Sequence, residues 1–273
     1  MSAFHVDTRV SREGDRFRGR LSPDWEVTGP NGGYMAAIAL RAVGQIAEPG
    51  HRPLSLSCQY LNRARSDEVE IVVEKVKSGV ATACYSASLL QGGMVILTAQ
   101  VWTGGAGEGP QSGTWRKPET PSFEALAPRE SYLPPGTVDT GFLAMFESRP
   151  MLPPGAVNPD GETQRAWIRF REFEDEGDQF LDQARTLIWI DAGGWPAHVR
   201  GLGAAANYGI LSLDLAVWFH EPSTSVTWML VDATVAHAAA GFITGHVRMW
   251  SEDGRLLAHG SSNMVCRMPK MAR

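Results

Sequence analysis

The sequence predicts an α+β fold built twice from one unit, a buried helix followed by an antiparallel meander. Three observations carry this. An alanine-rich stretch has apolar residues at helical spacing. The runs that follow it alternate with period two and are punctuated by hairpin turns. The same order of elements then occurs a second time in the C-terminal half, and repeats of a unit take precedence in a reading.

The first helix spans residues 31–47, with Met35, Ile38, Ala39, Ala42, Val43 and Ile46 on its apolar face. Ala36, Ala37 and Ala39 leave little bulk elsewhere, which predicts burial nearly all round. "LSLSCQYL" (54–61), "EVEIVVEKV" (68–76), "ATACYSASLL" (81–90) and "MVILTAQVW" (94–102) read as strands, with turns at Ser78-Gly79 and Gly92-Gly93. From Thr103 to about Pro135 the chain is glycine- and proline-rich, too long for an ordinary loop inside one domain, so it reads as a linker. A second proline-rich patch, residues 149–161, joins two strands of the second half. There, 165–173 reads as a strand and 178–194 as a helix. Strands follow at 209–219, 226–235, 241–250 and 255–265. The repeat reaches residue level, since "LSLSCQYLNR" (54–63) lines up with "LSLDLAVWFH" (211–220). Two such units imply pseudo-twofold symmetry, divided as residues 1–103, a linker 104–137 and residues 138–273.

Composition narrows the function classes. The 273 residues are 43% hydrophobic and 20% charged, ordinary for a globular protein with a sizeable core. A net charge of −5 and the lack of a basic run argue against nucleic acid or an anionic membrane as partner. No apolar run approaches the ~20 residues of a membrane span. The N-terminus has no secretory h-region, so a cytoplasmic location is expected. Three scattered cysteines, Cys58, Cys84 and Cys266, read as buried thiols in a reducing compartment rather than a disulfide framework or zinc site.

"GPNGGYMAAIALRA" (29–42), "SLDLAVWFH" (212–220) and "GFITGHVRMWSEDGRLLAHGSSNMVCR" (241–267) carry a resemblance. They resemble the acyl-CoA thioesterase II-like branch of the hot-dog superfamily, in which two hot-dog domains are fused in one chain. The likeness runs from about Gly14 to Arg267. It implies a double hot-dog fold, two antiparallel sheets each wrapped around a central helix. It also implies hydrolysis of acyl-CoA thioesters, a place in fatty acid metabolism, and assembly into a homodimer or larger homo-oligomer. No cofactor and no metal are expected.

The site residues follow from that resemblance. Thioester hydrolysis needs an activated water or a carboxylate nucleophile and a home for the oxyanion. A helix N-terminus offers unpaired N–H groups and partial positive charge. The resemblance places the oxyanion there, at Gly32, Gly33 and Tyr34. The plain alternative is a tight turn before a buried helix. The family groups Asp, Ser or Thr, and Gln around one water. Asp214 stands at the aspartate position, in an otherwise apolar strand where a carboxylate needs partners or a task. Its plain alternative is an edge residue capping a turn. Thr234 or His237 fills the hydroxyl position. His237 read alone is a surface or satisfied core histidine. The glutamine position falls on Ser262, or on Asn263 with a one-residue slip, so the triad departs from the family pattern. That departure keeps a second reading open, a non-catalytic acyl-CoA or lipid-binding protein. A hot-dog hydratase ranks lower, because no compact Asp-x-x-x-x-His motif is present.

Overall fold

The computed structural model describes residues 2–107, 113–137, 139–202 and 209–267. A short N-terminal helix, α1 (Phe4–Asp7), precedes a hairpin, β1 (Ser11–Glu13) and β2 (Arg16–Arg20). The first long helix is α2 (Gly32–Gly44), followed by β3 (Arg52–Tyr60), β4 (Glu68–Ser78), β5 (Thr82–Gln91) and β6 (Met94–Gly104). The second half holds β7 (Phe146–Pro150), β8 (Thr163–Phe170), α3 (Gln179–Ala192) and α4 (Gly194–Leu202). It closes with β9 (Gly209–Ser212), β10 (Asp214–Phe219), β11 (Met229–Ala239), β12 (Phe242–Trp250) and β13 (Leu256–Arg267).

The strand order is β1-β2-β4-β5-β6-β3-β10-β13-β12-β11-β8-β7, with β9 paired to β13. Read outward from the centre, each half repeats the other. The two sheets expected from the repeat are thus two halves of one continuous sheet. They are joined where β3 and β10 pair antiparallel, from Ser55 opposite Trp218 to Gln59 opposite Asp214.

The two long helices lie antiparallel on the inner face, and small residues let them touch. A Cβ on Gly33 would sit 2.3 Å from Leu187 O, and one on Gly44 would sit 2.7 Å from the Phe180 ring. Both helices pack into one core with the sheet. Elements at the chain start join the far half: Phe4 lies 5.0 Å from Phe170 and Trp25 5.9 Å from Phe146, centroid to centroid.

Several expectations shift in detail. The helix expected at 31–47 ends at Gly44, before a Glu-Pro-Gly turn that cannot continue it. The helix expected at 178–194 breaks at Gly193 and resumes as α4, where Pro196 fits a first helical turn. Gly194 and Gly245 permit this break to press on the sheet, since a Cβ on Gly245 would lie 2.8 Å from the Gly194 Cα. The strand expected at 209–219 is interrupted at Leu213, whose N–H donates to Asn263 O while its own carbonyl accepts from Tyr60 N–H. The strands expected on either side of the patch at 149–161 are β7 and β8, whereas α1, the hairpin of β1 and β2, and α4 have no counterpart in the sequence reading.

The described part of the expected linker is not a free tether. Trp115 packs edge-on against His259, Phe123 stacks on Trp228, and Pro121 O accepts the Trp167 indole N–H at 2.9 Å. This strap covers a second apolar cluster of Trp167, Trp228, Leu230 and Trp250 on the outer face of the C-terminal half.

Candidate active site

Asn31 caps α2, its Oδ1 accepting the Tyr34 N–H at 2.9 Å. Asn is a strong N-cap because its oxygen satisfies a donor the helix leaves open. The same side chain turns its amide outward, and Nδ2 donates to Asp191 Oδ2 at 3.2 Å. Asp191 belongs to the last turn of α3. A carboxylate is disfavoured at a helix C-terminus, yet the antiparallel packing delivers it to the positive N-terminal end of α2. Tyr60, at the end of β3, donates its hydroxyl to Asp191 Oδ1 at 3.4 Å.

Asp191 is buried, 4% exposed. Burial raises its carboxyl above the ordinary carboxylate range, while the Ser212 hydroxyl, Gly33 N–H, Tyr60 hydroxyl and Gly32 N–H pull it back down. No Lys, Arg or His is among the groups that bear on its titration. Gly32 is required here: a Cβ would lie 2.7 Å from the Tyr60 hydroxyl and 2.8 Å from Asp191 Oδ1.

Ser262 lies on the β13 side of this group. It is 1% exposed, and its hydroxyl has no hydrogen-bond partner among the described residues. Its neighbours on β13 fix its position. A Cβ on Gly260 would meet Ile190, and Met264 both touches Gly194 and pairs with Ser212. Ser262 therefore faces the C-terminal end of α3. Cys58 is also buried nearby, and burial raises its thiol, so it is no thiolate nucleophile.

The remaining sequence candidates lie elsewhere. In β10, Leu215, Val217 and Phe219 face the core, so the two-residue alternation turns Asp214 to the outer face. There Asn263 donates to it from its backbone N–H at 3.0 Å and from Nδ2 at 2.9 Å, and Asn263 Oδ1 accepts from Thr244. Asp214 and Asn263 are thus brought together, but across the sheet from α2. Their bonds hold the interruption at Leu213. Thr234 lies opposite His246 two strands further away, and His237 is exposed beside a bulge in β11. Neither approaches α2. The Tyr34 N–H is consumed by the Asn31 cap, so it is not an open oxyanion donor. Gly32 and Gly33 are in place, with Asp191 as their neighbour.

Sequence reasoning missed Asp191, Ser212 and Tyr60. One signal for Asp191 was legible: an acid in the last turn of an apolar helix that carries no basic residue there. That it meets the start of α2 has no sequence signature, because the two are 160 residues apart in the chain.

The chain matches the model of the acyl-CoA thioesterase N-terminal domain over residues 21–104 and that of the C-terminal domain over 109–261. The chain belongs to the acyl-CoA thioesterase family. Among its relatives, human acyl-coenzyme A thioesterase 8 is 24% identical, with 87% of this chain and 80% of that protein covered. Solved structures share the fold, among them the two that follow. The acyl-CoA thioesterase II TesB2 from Mycobacterium marinum superposes with a TM-score of 0.79 at 21% identity, covering 98% of this chain and 99% of that one. A hot-dog protein from Alicyclobacillus acidocaldarius, described as of unknown function, gives 0.82 at 20% identity, with the same shares covered. The fold of this family member is the α+β double hot-dog. Among the described residues no group of three metal-binding side chains occurs, and no helix is long and apolar enough to cross a membrane.

Proposed function

We propose that the protein hydrolyses acyl-CoA thioesters to the free acid and CoA with Asp191, rather than Asp214, as general base. The observation that carries this is a buried carboxylate with no cation partner among the described residues, held by neutral donors at a helix N-terminus. A structural carboxylate this deeply buried is ordinarily paired. A raised carboxyl among neutral hydroxyls suits a group that must take up and return a proton.

In this mechanism a water lies between Asp191, the Ser212 hydroxyl and the unpartnered Ser262 hydroxyl. Asp191 removes its proton as the oxygen adds to the thioester carbonyl carbon. The negative charge leaves the carboxylate and appears on the former carbonyl oxygen. The N–H groups of Gly32 and Gly33 and the partial charge of α2 then have a new anion to stabilise. Collapse breaks the C–S bond, and Asp191 returns its proton to the departing CoA thiolate. The N-terminal unit (1–103) supplies the helix start and the C-terminal unit (138–273) supplies the base, so the two units joined by 104–137 form one site.

The test is release of free CoA thiol by wild type, Asp191→Asn and Asp214→Asn. Loss in the first variant with retention in the second is expected. Full activity in Asp191→Asn would falsify the assignment, and tight acyl-CoA binding without turnover by wild type would establish the non-catalytic reading instead.

A further inference from the structure

A cavity of about 270 Å³ lies under α4, between α3, β7, β8 and the turns at 129–132 and 141–145. Phe146, Trp189, Trp195 and Val199 form its apolar part. Its lining includes Trp189 and Gly193, which flank Asp191 in the chain at the C-terminal end of α3, and packed side chains link it to α2. Trp189 and Asp191 share the C-terminal end of α3. Phe146 packs edge-on against Trp25 at 5.9 Å, Trp25 O accepts the Asn31 N–H at 2.9 Å, and Asn31 donates to Asp191. The other end of the cavity is charged. Arg129 pairs there with Asp139, and Arg200 donates to the carbonyls of Leu152, Pro153 and Ala156. Two buried polar atoms of the lining, Trp189 Nε1 and Glu130 Oε2, have no partner among the described residues.

We propose that this cavity holds the acyl group of the thioester and selects short to medium chains over long ones; the inference rests on the thioesterase reading. The volume of about 270 Å³ falls just below the range of roughly 300–1,000 Å³ for small-molecule pockets. Its apolar part rewards each buried methylene by about fourfold in affinity. A longer chain reaches the Arg129–Asp139 and Arg200 end, where it must desolvate charged groups without replacing their hydrogen bonds. The gain per methylene therefore stops there.

The test uses non-hydrolysable thioether analogues of acyl-CoA, from acetyl to palmitoyl length, titrated by calorimetry into the full chain. Wild-type affinity should rise by about fourfold per methylene and then level off or fall within the series. Val199→Trp fills the apolar part. Leu143→Trp narrows the rim at a residue 37% exposed, where folding is little at risk. Both should move the plateau to shorter chains, weakening the longest well-bound analogue by about tenfold relative to acetyl. An unmoved chain-length profile in both variants, or no binding of any analogue, overturns the proposal. CoA thiol release measured in parallel separates the two ideas. Release with an unmoved profile sinks the cavity alone, and a shifted profile without release sinks the hydrolase reading alone.

Discussion

Helix α3 carries two buried acids, nine residues apart, that meet opposite fates. Asp182, near its start, is fully neutralised. Its Oδ1 lies 2.8 Å from the Arg185 guanidinium, and Ser223 donates to it from N–H at 2.8 Å and from Oγ at 2.7 Å. Arg185 in turn donates to the carbonyls of Val226 and Ser223 and lies 4.3 Å from the centre of the Phe173 ring. Asp191, near the end of the same helix, has only neutral donors and a carboxyl raised by burial. Both groups are equally hidden from water. What differs is whether charge is cancelled, and that separates an acid that holds the fold from one free to exchange a proton.

The largest expected effect breaks the Asp191 side of this comparison. Asp191→Asn keeps the shape and one acceptor oxygen but removes the base, and thiol release should fall about 10²- to 10⁴-fold. Next is the other acid. Asp182→Ala strands a buried guanidinium, and urea unfolding should show a loss of about 3–5 kcal/mol, with the activity of the remaining folded protein intact. A large loss of turnover per folded molecule there would erase the distinction.

pH separates the two more finely. The raised Asp191 carboxyl should place the acid limb of the kcat/KM profile above the usual carboxylate pKa of ~4. Ser212→Ala removes the strongest group lowering that carboxyl, so the limb should move to still higher pH. The stability sign runs the opposite way from a paired acid. A raised folded-state pKa leaves no penalty below the unfolded value, and the penalty grows as pH rises from there through the folded value. Asp191→Asn should therefore gain stability over wild type across that window, read as a difference in Tm between acidic and neutral buffer. The smallest effect belongs to Asp214→Asn. Half-buried on the outer face and bonded by Asn263, it should change activity by no more than about twofold, as for surface substitutions.

Much of this architecture is legible along the chain. The alanine spacing of 35–46 marks the first buried helix, and the alternation of 54–61 and 211–220 marks the paired central strands, because helical and strand periods are local properties. Asn31 as a cap and Gly32-Gly33 as a close-approach site are likewise local. Asp214 misled for an equally local reason. It stands in an apolar strand at a motif position, but the interruption at Leu213 decides which face it takes, and a one-residue offset reverses a strand's faces. Ser212, two residues earlier, is the one turned inward.

By itself, then, the sequence determined two helix-and-meander units, their order, and the glycine-bearing helix start where a charge can be held. Only the tertiary structure decided which carboxylate arrives there. Asp191 meets Asn31 and Tyr60 across 160 and 131 residues because two helices pack antiparallel through Gly33 and Gly44. Its chemistry comes from desolvation, which no stretch of sequence contains and only a closed core supplies.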